Sequence, residues 1–362
     1  MQVQTLKDIL KSLRFFSYAE NRMAQPDILN QDPIAYYSKS IRIYLNESEL
    51  LTATTGSGLI LFGNMEMDLI DHIEIYQGFP SFDFGVEPAT IVIRLYTKCA
   101  EHDEGGRIKT TLGTFGANKQ NIYYTYKKDS FSYFVYANHS DNKKDSYEHR
   151  DETLRRDKQT NRFYGSLKVE NHRFELHTQQ LKGDMFLGSL VGNLPKSTFG
   201  DSSFINLATH SKFLNDTLTL NLSYIDTKSS VSYRYNPAKP LFIPTKGFIN
   251  SLDHILKEES FTATLKKEWE LDGNTLSAGI QYRYKHFDFT DVEFNIPTPS
   301  RDQAYSKESI YSFFLQDLIA LDERNLISLS VMDQIYRRDG SVDDSNTLQL
   351  RVGYILSKRV GG

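Results

Sequence analysis

From about residue 105 onward, apolar and polar positions alternate with a period of two. Ile122, Tyr124 and Tyr126 share one face of such a stretch, opposite Asn121, Tyr123 and Thr125. Phe163, Gly165, Leu167 and Val169 oppose Arg162, Tyr164, Ser166, Lys168 and Glu170, and Phe174 and Leu176 oppose Arg173, Glu175 and His177. Leu218, Leu220, Leu222 and Tyr224 oppose Thr217, Thr219, Asn221 and Ser223. Leu276, Ala278, Ile280, Tyr282 and Tyr284 oppose Ser277, Gln281, Arg283 and Lys285, and Leu348, Leu350, Val352 and Tyr354 oppose Thr347, Gln349 and Arg351. Side chains on a strand point to opposite faces in turn, so each stretch is a strand with one apolar and one polar face. Twelve strands are predicted, near 106–115, 119–127, 130–139, 161–170, 172–180, 202–213, 216–226, 258–271, 274–288, 307–320, 325–337 and 347–358.

The connections are of two kinds. Short turns at 127–130, 170–172, 214–216, 272–274 and 322–324 alternate with long polar links at 139–160, 181–201, 226–257 and 288–306. Alternating stretches of ~9–11 residues, joined by turns that are short at one end and long at the other, predict a transmembrane β-barrel. Tyr133, Tyr136, Tyr224, Tyr282 and Tyr284 are expected in its aromatic girdles. The alternative is a soluble antiparallel sheet with one wet face, in a surface or periplasmic binding protein.

Residues 1–98 read differently. Leu6, Ile9, Leu10 and Leu13 recur at helical spacing, and Ile41–Leu45, Ile70–Ile75 and Ile91–Tyr96 are short apolar strands. The segment holds 8 Lys and Arg against 12 Asp and Glu, while residues 99–362 hold 34 of each. The formal charge of −4 therefore lies wholly in the first part, and the balanced remainder offers no basic stripe for nucleic acid. An α+β unit over 1–98, followed by barrel strands over 99–362, is the expected organisation. Phe and Tyr number 45 against one Trp, in a chain whose hydrophobic fraction is only 39%, which suits one-faced strands and excludes disorder. No run of ~18 apolar residues exists for a membrane helix. The opening residues lack the basic and apolar regions of a signal peptide. Cys99 is the only cysteine, so neither a disulfide within the chain nor a cysteine-based metal site is expected.

Residues 69–98 carry a specific pattern. Leu69-Ile70-Asp71-His72-Ile73-Glu74-Ile75 leads to a Gly78-Phe79-Pro80 turn and a Phe84-Gly85 pair, then to an apolar strand, Ile91 to Tyr96, ending Thr97-Lys98. This resembles the end of the plug domain of TonB-dependent outer-membrane receptors. Leu6-Lys7-Asp8-Ile9-Leu10 resembles the opening helix of that plug, and Ile41 to Asn46 its middle strand and turn. The resemblance departs at Gln77, where the family has Arg, in the absence of a TonB box ahead of the helix, and at an ending, Arg359 to Gly362, without a terminal aromatic residue. Family barrels have ~22 strands around a plugged lumen. Twelve strands thus lead to the expectation of an incomplete barrel, a fragment of the whole, unless the chain closes as a smaller barrel.

The resemblance implies a receptor in the outer membrane of a Gram-negative bacterium. It would take up a scarce ligand, such as a ferric siderophore or another metal chelate, with energy from the inner-membrane TonB complex. No cofactor is implied. Motif residues carried over are Asp8, Asp71, Glu74, Gly78, Pro80, Gly85 and Lys98. Arg42 and Arg94 on plug strands are expected to pair with barrel acids such as Glu170 and Glu175. The lumen-facing charges Arg162, Lys168, Arg173, Arg283 and Lys285 are also expected to hold the plug, because the lumen wall is polar. His139, His149 and His286, in or beside the long links, are candidates to touch a ligand. No catalytic signature is present: there is no His-Glu-x-x-His, P-loop or Gly-x-Ser-x-Gly. Thr55-Gly56-Ser57-Gly58 lacks the Lys-Ser/Thr of a phosphate loop. An enzyme is not expected, and neither is a resident metal.

Overall fold

The computed structural model describes residues 5–12, 18–20, 26–28, 41–52, 58–77, 91–143, 145–149, 152–155, 157–184, 197–238, 240–243, 247–293, 296–299, 305–322 and 325–356. Gly78, Pro80, Gly85, Thr55 to Ser57 and the C-terminal residues lie outside them.

The described residues before 98 form an internal unit with its own sheet. Helix α1 (Leu6–Ser12) starts at a reciprocal cap: the Thr5 amide and hydroxyl both donate to Asp8 at 3.0 Å, and the Asp8 amide returns a bond to Thr5 Oγ1. The four-stranded sheet comprises β1 (Ile41–Leu45), β2 (Ser48–Glu49), β3 (Ile70–Gln77) and β4 (Ile91–Thr97), ordered β2-β1-β4-β3. β1 and β4 run parallel; β1 is buried throughout and β4 over Ile91 to Ile93 and at Leu95. The turn α2 (Leu59–Phe62) lies between β2 and β3.

The remaining strands build one long antiparallel wall. They are β5 (Gly105–Leu112), β6 (Asn118–Lys128), β7 (Phe131–Asn142), β8 (Lys158–Val169), β9 (His172–Asp184) and β10 (Ser197–Phe213). They continue as β11 (Leu218–Arg234), β12 (Ser251–Leu271), β13 (Asn274–Glu293), β14 (Lys307–Ala320), β15 (Asn325–Arg338) and β16 (Ser345–Leu356). Each pairs with its sequence neighbours, so spatial order follows chain order, and β5 and β16 are the two open ends. All twelve predicted strands are present. The tight turns hold left-handed backbone, at Asp129 (φ 52°), Glu170 (φ 54°) and Gly273 (φ 78°), as two-residue hairpins require. The predicted long links are shorter than expected. β11 runs on to Arg234 and β12 starts at Ser251, because the two strands stay paired in register beyond the apolar belt. Small hairpins at 147–149 with 152–154, and 241–243 with 247–249, occupy part of the remainder.

The wall inverts the usual rule of burial. Ile280 is 50% exposed on its outward face, while the adjacent Gln281 and Arg283 are 8% and 2% exposed on the inward face. Phe174, Leu207, Phe313 and Leu350 are likewise exposed outward, and Asn138, Gln179, Asn206, Ser260 and Gln334 are buried inward. On β12 the outward row Trp269, Lys267, Leu265, Ala263 and Phe261 turns polar at Glu259; its register partners turn polar nearby, at Asp226 on β11 and His286 on β13. The aromatics Tyr224, Phe261 and Tyr284 stand in register at that upper border. Tyr136 does not join them. Even positions of β7 face inward, so its ring is buried and its hydroxyl donates to Asn121 at 3.2 Å.

The internal unit fills the hollow of the wall. Its apolar core, with Leu6, Leu10, Ile43, Phe62, Leu69, Ile93 and Leu95, is continuous with the inward aromatics Phe134, Tyr136, Tyr164 and Phe204. Contacts from Lys109 on β5 round to Arg283 on β13 show that the sheet curves about the unit.

Candidate functional site

The candidate functional region is the seam between the internal unit and the inner face of the wall. Over β6 to β10 the seam is tight. Phe62 meets Phe204 edge-on at 4.7 Å between centroids, and the His177 ring lies 5.7 Å from Phe62 and 5.3 Å from Phe204. Polar groups frame this aromatic patch. Gln179 donates to the Leu61 carbonyl at 3.0 Å, and Asn206 donates to Ser48 at 3.0 Å. Lys119 pairs with Glu66 at 2.5 Å, while Lys109 and Asn121 meet Asp68 at 2.7 and 2.8 Å. Burial holds the Glu66 carboxyl above its ordinary range even with Lys119 beside it.

The expected ionic contacts are rearranged. Arg42 meets Glu49 of its own sheet at 3.0 Å, and it is Glu49 that reaches the wall, taking Arg283 at 2.6 Å. Arg94 donates to the Asn46 carbonyl and lies 5.1 Å over the Tyr96 ring. Glu175 does receive the internal unit, through the Asn46 amide at 2.5 Å, together with Tyr164 at 2.7 Å and Arg173 at 3.3 Å. Arg173 also pairs with Glu47 across the seam. Glu170 occupies an exposed hairpin turn instead. The acids Glu47, Glu49, Glu66 and Asp68 were not singled out by motif. The acidic excess of residues 1–98 beside inward Lys and Arg was the signal for them.

The carried-over motif residues have structural work. Asp8 caps α1. Glu74 accepts from both Tyr76 and Tyr96 at 2.7 Å. Burial works against its charged form, but the two hydroxyls outweigh it and hold the carboxyl below its ordinary range; both phenols are pushed up to about 12. Asp71 pairs with His72 at 2.8 Å, and His72 stacks on Tyr96 at 4.4 Å. Lys98 meets Asp103 at 3.3 Å. Cys99 lies 3.8 Å from His102, its thiol raised by burial.

The candidate histidines do not converge. His139 and His286 sit on outward positions at the upper border of the apolar belt, bonded to Asn161 and near Glu259, with five strands between them. His149 lies on the small hairpin 147–149. A ligand held between unit and wall would not meet His139 or His286. Among the described residues no three of His, Cys, Asp and Glu come together around a metal position.

Toward β11 and β12 the seam opens. A cleft of about 700 Å³ lies between Glu47 and Arg94 on the unit and Lys212, Asn221, Thr264 and Lys266 on the wall, among the described residues. Turn residues Glu170, Asn171 and Asp216 rim it, so its mouth is at the short-turn end.

No protein-family model and no curated protein sequence matches the chain. Solved structures do match it. The FrpB iron transporter from Neisseria meningitidis (F3-3 variant) superposes with a TM-score of 0.68 at 11% identity, over 99% of this chain and 60% of that one. The siderophore receptor PirA from Acinetobacter baumannii gives 0.66 at 13% identity, over 99% and 57%. The copper transporter OprC gives 0.64 at 12% identity, over 96% and 56%. The chain has the fold of part of these proteins. It spans 56–60% of their length.

Proposed function

We propose that the chain is part of a TonB-dependent outer-membrane receptor, with residues 1–98 as its plug and 99–362 as part of its β-barrel. The observation that carries this reading is the inverted wall, apolar outward in a bounded belt and polar inward around a packed unit. Leaving the exposed Leu, Ile, Phe and Tyr side chains of the wall strands in water would forgo ~1.5–3 kcal/mol for each one that could be fully buried. Hydrocarbon removes that cost. The fold shared with transporters and receptors supports the same reading, and so does the resemblance of residues 69–98. In this role the long-link end takes up a scarce ligand such as a ferric siderophore or other metal chelate. The short-turn end faces the periplasm and the TonB energising complex, and the chain performs no chemistry on what it carries. Outer-membrane lipid covers the belt.

The test is the partition of the belt. A lipid-soluble photolabel should mark Leu220, Phe261 and Phe313 in bilayers and leave Asn221 and Ser260 unmarked, and the protein should precipitate when detergent is withdrawn. A chain that stays monodisperse without detergent, with belt residues open to water-soluble reagents, is a soluble β-rich binding protein instead.

A further inference from the structure

The cleft at the short-turn end is the start of a longer polar track. It shares Glu47, His210, Asn221 and Thr264 with a narrower recess of about 80 Å³, which ends on Glu49 and Arg283. There one carboxylate holds two guanidinium groups, Arg283 at 2.6 Å and Arg42 at 3.0 Å, with all three side chains at most 8% exposed. One register row farther from the short turns, Ser260 faces Lys285 across β12 and β13, and both are buried. Beyond them Lys285 meets Glu308 at 3.4 Å, and Glu308 meets Arg338 at 2.7 Å, toward the long-link end of the wall. The inward surface from Lys212 to Arg338 is thus mostly hydroxyl, amide and charged groups, with Ile225, Ile310 and Phe314 among them, and it is interrupted where Glu49 touches Arg283.

Resting on the reading as a transport receptor, we propose that the Glu49–Arg283 pair is the gate of a path for a polar, hydrated solute along β11 to β13. Three features place the opening here. The opposite seam is closed by Phe62, Phe204, His177 and Phe134, so parting it would expose apolar core to water. Parting Glu49 from Arg283 breaks a polar contact, with Ile225 the core residue nearest to it in the next register row. The released carboxylate keeps Arg42, so no buried charge is stranded, which is the usual penalty for breaking a buried pair. Arg283 in turn swings into a recess already lined by Thr262, Thr264 and Gln281. The internal unit therefore stays docked on its aromatic side while the path opens on the other.

The test uses thiol reactivity in detergent, with Cys99→Ser removing the only native thiol. Ser260→Cys, a near-isosteric change, reports from beyond the gate, and Thr264→Cys reports from the cleft before it. A water-soluble methanethiosulfonate should modify Thr264→Cys quickly whatever the gate's state, and Ser260→Cys slowly. Adding Glu49→Gln should speed Ser260→Cys about tenfold or more, the factor expected on weakening one charge-assisted hydrogen bond. Arg283→Lys, which keeps the charge and shortens the reach, should give a smaller increase in the same direction. Gln179→Ala, which removes the bond to Leu61 on the tight side, should leave Ser260→Cys slow. An unchanged Ser260→Cys rate in both gate variants overturns the gate. So does an equal increase from Gln179→Ala, which would mean the whole unit loosens. Neither measurement needs ligand or membrane, so failure of the gate is separable from failure of the receptor reading, which the belt labelling decides.

Discussion

The internal sheet and the wall are built from the same alternation of residues and resolve it in opposite ways. In β1 all five residues are buried, apolar Ile41, Ile43 and Leu45 among them, as in any water-soluble core. In the wall the apolar positions turn outward and the buried positions are Asn, Gln, Ser, Thr and Arg. The difference teaches that alternation specifies a two-faced strand and leaves open which face is inside. That choice belongs to the surroundings, with a packed neighbour deciding for the unit and the proposed bilayer for the wall. The two regions meet at inward wall aromatics, which behave as core residues of the unit.

The largest expected effect tests that meeting point. Phe62→Ala removes the ring seated against Phe204 and His177 and should destabilise the internal sheet by ~3–5 kcal/mol. Hydrogen exchange should quicken at β1 and β4 amides while β11 to β14 stay protected. Equal loss in both would show that unit and wall fold as one body.

Next in size is the outward face. Leu220 lies within the apolar belt of β11, and Asn221 faces the cleft. A cation on the lipid face near the midplane costs ~2–4 kcal/mol. Leu220→Arg should therefore impair insertion into bilayers strongly, and Asn221→Arg little, as read by the fraction of protein that floats with lipid. Equal impairment would contradict the assignment of faces. A smaller loss, about 1 kcal/mol, is expected for Asp8→Ala, which removes the side-chain half of the reciprocal cap on α1. It should appear in the denaturant midpoint of the internal unit and not in bilayer insertion.

Much of this comparison was legible in the sequence. Every wall strand and the split into two faces follow from period two, because side-chain direction is fixed by the backbone. Strand ends were less legible. Beyond the belt both faces are polar, so the extension of β11 through Asp226 and Lys228 leaves no hydropathy contrast. Tyr136 was misplaced because an aromatic residue near a strand end suits either a girdle or a core, and parity decides between them. The site was legible in kind and not in detail. An acidic unit within a wall of balanced charge implies acids meeting bases at the seam. That Glu49 finds Arg283, 234 residues away, depends on how the curved sheet brings β13 to β2, which no local pattern encodes.

The smallest expected effect concerns pH and sharpens the comparison on the side of the unit. Glu74 belongs to the internal unit, on the face of β3 where Tyr76 and Tyr96 both donate to it. These bonds favour its charged form, so its folded carboxyl titrates below the ordinary 4.5 of an unfolded chain. A depressed carboxylate contributes stability that is fully present above the unfolded value and is lost as pH falls through the folded one. Acid below about 4.5 should therefore loosen the β3–β4 pairing first, seen as faster exchange at the amides of 72–77 and 92–96. The effect stays under ~1 kcal/mol, because the group is largely open to solvent screening. Glu66 works in the opposite sense: its carboxyl is raised by burial, so protonation favours the folded state there. Tyr96→Phe removes one of the two donors to Glu74 and should shift the acid loosening of β3 toward higher pH. It should leave the wall's exchange pattern unchanged. An acid response that appears equally in β11 and β12, or one that Tyr96→Phe does not move, would place the titrating group elsewhere.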